Sequence, residues 1–313
     1  MNALRRTLGA LCIVATPLLH AADDASCQRV RLADVGWTDI TMTTAVTRLV
    51  LTELGYQPTV RRLSLPDTYR ALAEGEVDVF LGNWMPAQSA LLEPQLKNGR
   101  IETVQTNLPS VRYTLAVLEP GHQKGLKDFA DIQRFKKELD GMIYGIEAGN
   151  EGNEAIRQMI ARNEFGLGQF KLVESSEAAM LRTVERAHRL GRPLVFLAWE
   201  PHPMNERFDL QYLSGGDNYF GPNFGAGQVN TVARTGLTNQ CPNLAALLRN
   251  LIFTTAAENQ MMAELLAGNT NRRRVAKRWL QSNPQVVAQW LDGVQRFDGQ
   301  PAPASLNLSA RAQ

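Results

Sequence analysis

The chain has 313 residues, 44% of them hydrophobic, enough apolar material for a substantial core and enough length for two α/β lobes. Its 33 basic residues against 31 acidic ones give a formal net charge of +2, and Arg5 and Arg6 account for the whole excess. A body balanced in this way has no overall field to hold a polyanion, which excludes nucleic acid as a partner; the compact basic run RRR at 272–274 reads as a solvated helix face.

The first residues read as an export signal. Arg5 and Arg6 precede a mostly apolar stretch at 8–19, and cleavage fits near Ala21 or Ala22, so 1–22 is a signal peptide. The apolar stretch is shorter than the ~20 residues that a membrane span requires, and no later segment supplies one. Neither Cys12 nor Cys27 follows a lipidation pattern, so a periplasmic, unanchored protein is expected. With Cys12 removed, Cys27 and Cys241 remain. In an oxidising compartment two such cysteines are expected to pair; the alternative is two buried thiols without contact.

Strand and helix signals then alternate, as in a mostly parallel sheet flanked by helices. Strands are predicted at 30–35, 59–63 and 77–81, with helices at 39–54 and 66–75. A second strand set follows at 114–118, 142–146, 171–173, 194–198 and 210–213. Helices at 128–139, 153–162 and 177–190 fit between these, the last capped by Ser175 or Ser176. After the Gly-rich loop 215–227 comes a strand at 229–233, then helical pattern from 243 to 294. The order implies a lobe interrupted by an inserted lobe: 23–111 with 214–298, and 112–213 between them. The small, Pro- and Ala-bearing tail 299–313 is expected to fray.

Three of the five tryptophans stand where a hydrophobic run gives out: VRLADVGW ends in Trp37, VDVFLGNW in Trp84, and PLVFLAWE carries Trp199. In open α/β sheets the carboxyl ends of strands are where small ligands bind. Each tryptophan alone would be a packing residue, but Trp84 and Trp199 repeat one arrangement, a strand ending in Trp with Pro just beyond. Indoles gathered with a carboxylate, Asp39, suggest a box for an organic cation, which is held by aromatic faces and a compensating negative charge. Trp279 and Trp290, spaced among Leu and Val in a helical stretch, read as core.

Asp39 reads two ways: as an ordinary helix N-cap, or as a carboxylate facing the cleft with Thr38 making the cap. Tyr113 begins a strand at a lobe crossing and could reach the same cleft. Asn150, between Gly149 and Gly152, is either a turn or cap residue or an amide that meets a ligand hydroxyl. Catalytic chemistry has little support. His202 lies near Glu200 with Pro201 between them, and no nucleophile elbow, H-E-x-x-H or paired C-x-x-C occurs. The Gly-rich loop matches neither the P-loop nor the dinucleotide fingerprint, so no cofactor and no metal are expected.

The motifs DVGWTDI, DVFLGNWMP, RYTLAV, YGIEAGNEGN, ESSEAAML, VFLAWEPHPMN and YLSGGDNYFGPN, with the Trp-Leu-x-x-Asn-Pro stretch from Trp279, resemble the choline-binding proteins of the glycine betaine/choline group of ABC-transporter substrate-binding proteins. The resemblance runs from Cys27 to Val294. It implies a two-lobed, hinge-closing protein with a type II-like periplasmic-binding-protein fold, monomeric, that delivers ligand to a membrane permease. It also implies an aromatic box of Trp37, Trp84, Tyr113 and Trp199, polar contacts from Asp39 and Asn150, and a disulfide between Cys27 and Cys241. An ionised Asp39 would repel the carboxylate of glycine betaine and accept a hydrogen bond from the hydroxyl of choline, so choline is the expected ligand. Glycine betaine or proline betaine is the alternative, and an exported choline-ester hydrolase a more distant one.

Overall fold

The computed structural model describes residues 23–268, 270–303 and 306. The expected signal peptide 1–22, with Cys12 and the cleavage point, and most of the tail lie outside the described residues.

Among the described residues nine strands form one curled sheet: β1 (Arg29–Asp34), β2 (Gln57–Arg62), β3 (Val79–Met85), β4 (Ile101–Leu118), β5 (Met142–Tyr144), β6 (Lys171–Val173), β7 (Val195–Glu200), β8 (Leu210–Tyr212) and β9 (Ala226–Arg234). The order is β2-β1-β3-β9-β4-β7-β5-β6, with β8 also on β4. Parallel ladders lie at the two ends, β2-β1-β3 and β7-β5-β6, whereas the β4 and β9 pairings between them are antiparallel. The long strand β4 joins the two ends. It pairs with β9 from Ile101 to Arg112 and with β7 from Arg112 to Val117.

The pattern predicted only the last part of β4. Its first part is polar and carries Pro109, and it pairs through register shifts, one of them spanning that proline. Proline cannot donate to a ladder and sits at such irregularities, so the strand lacks the alternation that announces one. The helix expected at 128–139 is a 3-10 segment, Phe129–Phe135, closed at its start by a capping box of Asp128 and Asp131. The helix Ser89–Lys97 was not anticipated; Pro94 inside it masks the pattern.

The helix Thr38–Glu53 follows β1 and is packed beneath Thr255–Leu266 and Arg272–Ser282. Its many threonines are compatible with burial because their hydroxyls can bond back along the helix, as Thr43 does to the Asp39 carbonyl at 3.2 Å. Trp279 and Trp290 stack in the core with ring centroids 5.7 Å apart. Cys27 and Cys241 are joined by a disulfide with S–S 2.03 Å. The basic run is not wholly solvated: Arg272 reaches the buried Asp34 at 3.3 Å. Nor is the start of the tail free, since Gln295 bridges Pro301 and Ala302 packs against the core. Among the described residues no helix is long and apolar enough to cross a membrane.

Candidate functional site

Turns at the ends of β1, β3 and β7 deliver the three indoles. After β1, the Asp34 carboxylate accepts the Gly36 N–H at 2.7 Å and the Thr41 hydroxyl at 2.9 Å, fixing a turn in which Gly36 takes φ of 96°. Only glycine adopts that conformation without strain. The turn places Trp37 at the N-cap position of the helix Thr38–Glu53. Trp84 and Trp199 each stand two residues before a cis proline, Pro86 and Pro201. Tyr113 on β4 is the cross-strand partner of Trp199, and its ring meets Trp84 edge-on at 6.2 Å.

The six residues singled out from sequence come together. Trp37, Asp39, Trp84, Tyr113, Asn150 and Trp199 line one pocket, joined by Ile146 and Glu151. The pocket is a small cavity of about 20 Å³, and all six side chains are buried. Ile146 and Glu151 escaped the sequence reading, although both flank Asn150 within GIEAGNEGN. A search of that loop for further apolar and acidic residues would have found them.

Asn150 fills the capping role that was weighed for it. Its Oδ1 caps the helix Glu151–Ala161, accepting from Gly152 N–H at 2.8 Å and Asn153 N–H at 3.3 Å, and it also accepts the Tyr113 hydroxyl at 2.7 Å. The acceptor end is thereby spent. The amide nitrogen donates to Glu151 Oε2 at a long 3.3 Å and has a second hydrogen left over. Gly152 is required for this approach, because a β-carbon there would stand 2.1 Å from the Tyr113 hydroxyl.

Asp39 does not cap its helix, and neither does Thr38. The acceptor comes from far along the chain: Glu177 Oε2 accepts the Thr38 N–H at 2.9 Å, and its Oε1 accepts the Thr38 hydroxyl. Asp39 is therefore released to face the pocket with Oδ1 lacking any hydrogen-bond partner. The Trp84 Nε1–H also forms no well-shaped hydrogen bond, though it lies near enough to favour the ionised Asp39 slightly. Burial, then the nearby Glu177 charge, pushes the Asp39 carboxyl up to about 7. Behind it Glu258, 3% exposed, is raised well above the usual carboxylate range by burial and by Asp39. Glu151 is pushed up to about 7, and Glu147 is raised as well, each chiefly by desolvation. So many carboxyl groups crowded round one apolar-walled pocket is an environment that a cation relieves.

His202 pairs with Glu177 and not with Glu200. Its Nδ1 accepts the Met204 N–H at 3.0 Å, which leaves the proton on Nε2, 3.2 Å from Glu177 Oε1. Burial alone would raise Glu177, but the bonds from His202 and Thr38 outweigh it and hold its carboxyl below the ordinary value. Trp37 is fixed in a similar way, its Nε1–H donating to Glu147 Oε1 at 2.6 Å. Among the described residues no cluster of three or more His, Cys, Asp or Glu side chains has the arrangement of a metal site.

Comparison with known proteins places this architecture. Residues 28–282 match the family model described as the substrate binding domain of ABC-type glycine betaine transport systems. A solved structure described as an ABC-transporter choline binding protein in complex with choline is 48% identical, with a TM-score of 0.87 over 90% of this chain and 97% of that one. An unliganded, semi-closed choline binding protein gives 49% identity and a TM-score of 0.82, covering 89% and 97% of the two chains. The glycine betaine/carnitine transport binding protein GbuC of Listeria monocytogenes is 32% identical over 52% of this chain and 53% of its own. The pocket described above therefore belongs to a two-lobed substrate-binding protein of an ABC transporter, a member of the family of ABC-type glycine betaine transport substrate-binding domains.

Proposed function

We propose that this protein captures choline between its lobes and presents it to an inner-membrane ABC permease. The observation that carries the reading is the buried Asp39 carboxylate, whose Oδ1 has no hydrogen-bond partner, in a pocket walled by Trp37, Trp84, Tyr113 and Trp199. A quaternary ammonium has no N–H to donate and is held by aromatic faces and nearby negative charge. Such contacts contribute about 2 kcal/mol or more each when desolvated. Three or four of them support micromolar affinity, which corresponds to about 8 kcal/mol.

The polar end sets the preference. A choline hydroxyl donates to Asp39 and accepts from the spare Asn150 N–H, whereas the carboxylate of glycine betaine meets an anion. Glycine betaine is the second reading, favoured by the family description and by the Listeria relative. The lining carries no serine, cysteine, threonine or histidine, which favours capture over ester cleavage.

Lobe one comprises 23–111 with 214–298 and supplies Trp37, Asp39 and Trp84. Lobe two, 112–213, supplies Tyr113, Asn150 and Trp199. Ligand contacts to both lobes stabilise the closed form, which the permease recognises. Export to the periplasm with removal of 1–22 completes the reading.

The test is calorimetric titration of the purified protein with choline and, separately, glycine betaine and acetylcholine. Choline binding at least tenfold tighter than betaine, with no choline released from acetylcholine, supports the proposal. Equal affinity for betaine overturns the selecting role of Asp39, and release of choline from the ester overturns the non-enzymatic reading.

A further inference from the structure

The helix Thr38–Glu53 has no side-chain cap of its own. A buried helix end normally satisfies its first N–H groups locally or with water. Here the acceptor arrives from 139 residues away, as both Glu177 oxygens engage Thr38, one at the backbone N–H 2.9 Å away and one at the hydroxyl. Glu177 is itself the first residue of another helix, Glu177–Arg189, whose own cap is Ser176. It is thus not consumed by local capping. His202 holds the carboxylate from behind through Nε2, with its tautomer set by Met204 N–H. Glu177 and His202 are both buried, and Thr38 is at the edge of burial at 9% exposed.

On the lobe assignment proposed above, Thr38 belongs to one lobe and Glu177 with His202 to the other. We infer that Glu177 is a positioning residue that ties lobe closure to the ligand pocket by capping, across the cleft, the helix that bears Asp39. Glu177 does not line the pocket. Its effect reaches the ligand through its neighbours: the capped turn carries Trp37 on one side of Thr38 and Asp39 on the other. Closure completes the cap, and opening strands the Thr38 N–H. A second tie runs parallel to it, from Trp37 Nε1–H to Glu147, and aims the indole. Residues 37–39 are therefore bonded to the opposite lobe at two consecutive positions, which ties the aromatic wall and the carboxylate to the closed state.

The experiment uses the purified protein and the variants Glu177→Ala and Glu177→Gln. Choline affinity is measured by calorimetry, and the radius of gyration by small-angle X-ray scattering with and without saturating choline. The alanine variant is expected to bind choline at least tenfold more weakly and to scatter as a more open particle. The glutamine variant, which keeps an acceptor for the Thr38 N–H, is expected to recover most of both. An alanine variant that binds within twofold of the parent and contracts to the same radius overturns the inference. So does one whose only defect is a lower melting temperature. If the alanine variant does not fold, Thr38→Val, which removes the hydroxyl half of the tie, is read by the same criteria. A parent protein that binds neither choline nor betaine overturns the ligand assignment instead. In that case the unliganded scattering alone decides: a larger radius for Glu177→Ala supports the cross-cleft cap, and an unchanged radius overturns it.

Discussion

Tyr113 donates its hydroxyl to Asn150 Oδ1 at 2.7 Å, and this bond orients the amide so that a nitrogen, not an oxygen, is left for a ligand. The tyrosine ring and the asparagine amide thus act as one unit, with the ring walling the pocket and the hydroxyl choosing the polar character of its end. Gly152 lets the two approach. Gly152→Ala is expected to push Tyr113 aside and weaken choline binding about tenfold, equivalent to about 1.4 kcal/mol. Calorimetry on a variant with an unchanged circular dichroism spectrum checks this; parent-like affinity would mean the contact is dispensable.

Removing an indole while keeping apolar bulk separates cation–π attraction from packing. Trp84→Leu and Trp199→Leu are each expected to weaken choline binding about 30-fold, the loss of about 2 kcal/mol. Phenylalanine at either position should restore part of it, since a smaller π-face remains. Titration of the four variants decides the matter, and equal affinities for leucine and phenylalanine would refute the aromatic contribution.

Asp39 gives choline binding a pH dependence with a definite sign. Its carboxyl is raised from 3.8 to about 7 by burial and by Glu177, so below neutrality it holds a proton that an arriving cation must displace. Affinity is expected to fall as pH drops below about 7, approaching tenfold per pH unit, since one unit corresponds to about 1.4 kcal/mol. Above that value it levels off. The unliganded protein behaves in the opposite sense. A carboxyl raised on folding contributes stability that is present below 3.8 and lost as pH rises towards 7. The melting temperature without ligand should therefore decline across that window, while the increment from choline grows. Asp39→Asn should remove its share of the affinity profile, leaving the part set by Glu151, and narrow the gap between choline and glycine betaine.

The disulfide joins residues 214 positions apart. Closing a loop of that length in the unfolded chain corresponds to about 5 kcal/mol on the chain-entropy model, an upper figure for real bridges. Paired Cys27→Ser and Cys241→Ser substitutions are expected to lower thermal stability by several degrees or more and to leave choline affinity within about twofold, because neither cysteine lines the pocket. Melting curves and a titration of the double variant measure both.

Most of the pocket was legible because its indoles sit where hydrophobic strands stop, a position that packing alone does not explain three times over. Elements with clean periodicity, such as β1 and the helix Glu177–Arg189, were legible for the same local reason. What escaped was set by distance or by masking. Nothing near Thr38 in sequence announces that its cap is Glu177, and nothing near His202 says that it faces Glu177 and not Glu200. The first part of β4 was hidden by Pro109 and by polar residues that pair through irregular register.

The covalent bond between Cys27 and Cys241 makes a ring of everything between them, and the strands β1 to β9 all lie inside it. A single peptide bond cut anywhere in that ring leaves one continuous molecule, with the severed ends still tethered through the bridge and through the sheet. Damage to an exposed surface turn such as 222–224 would then open the ring without releasing a fragment, and the pocket walls on either side would remain attached to the same body.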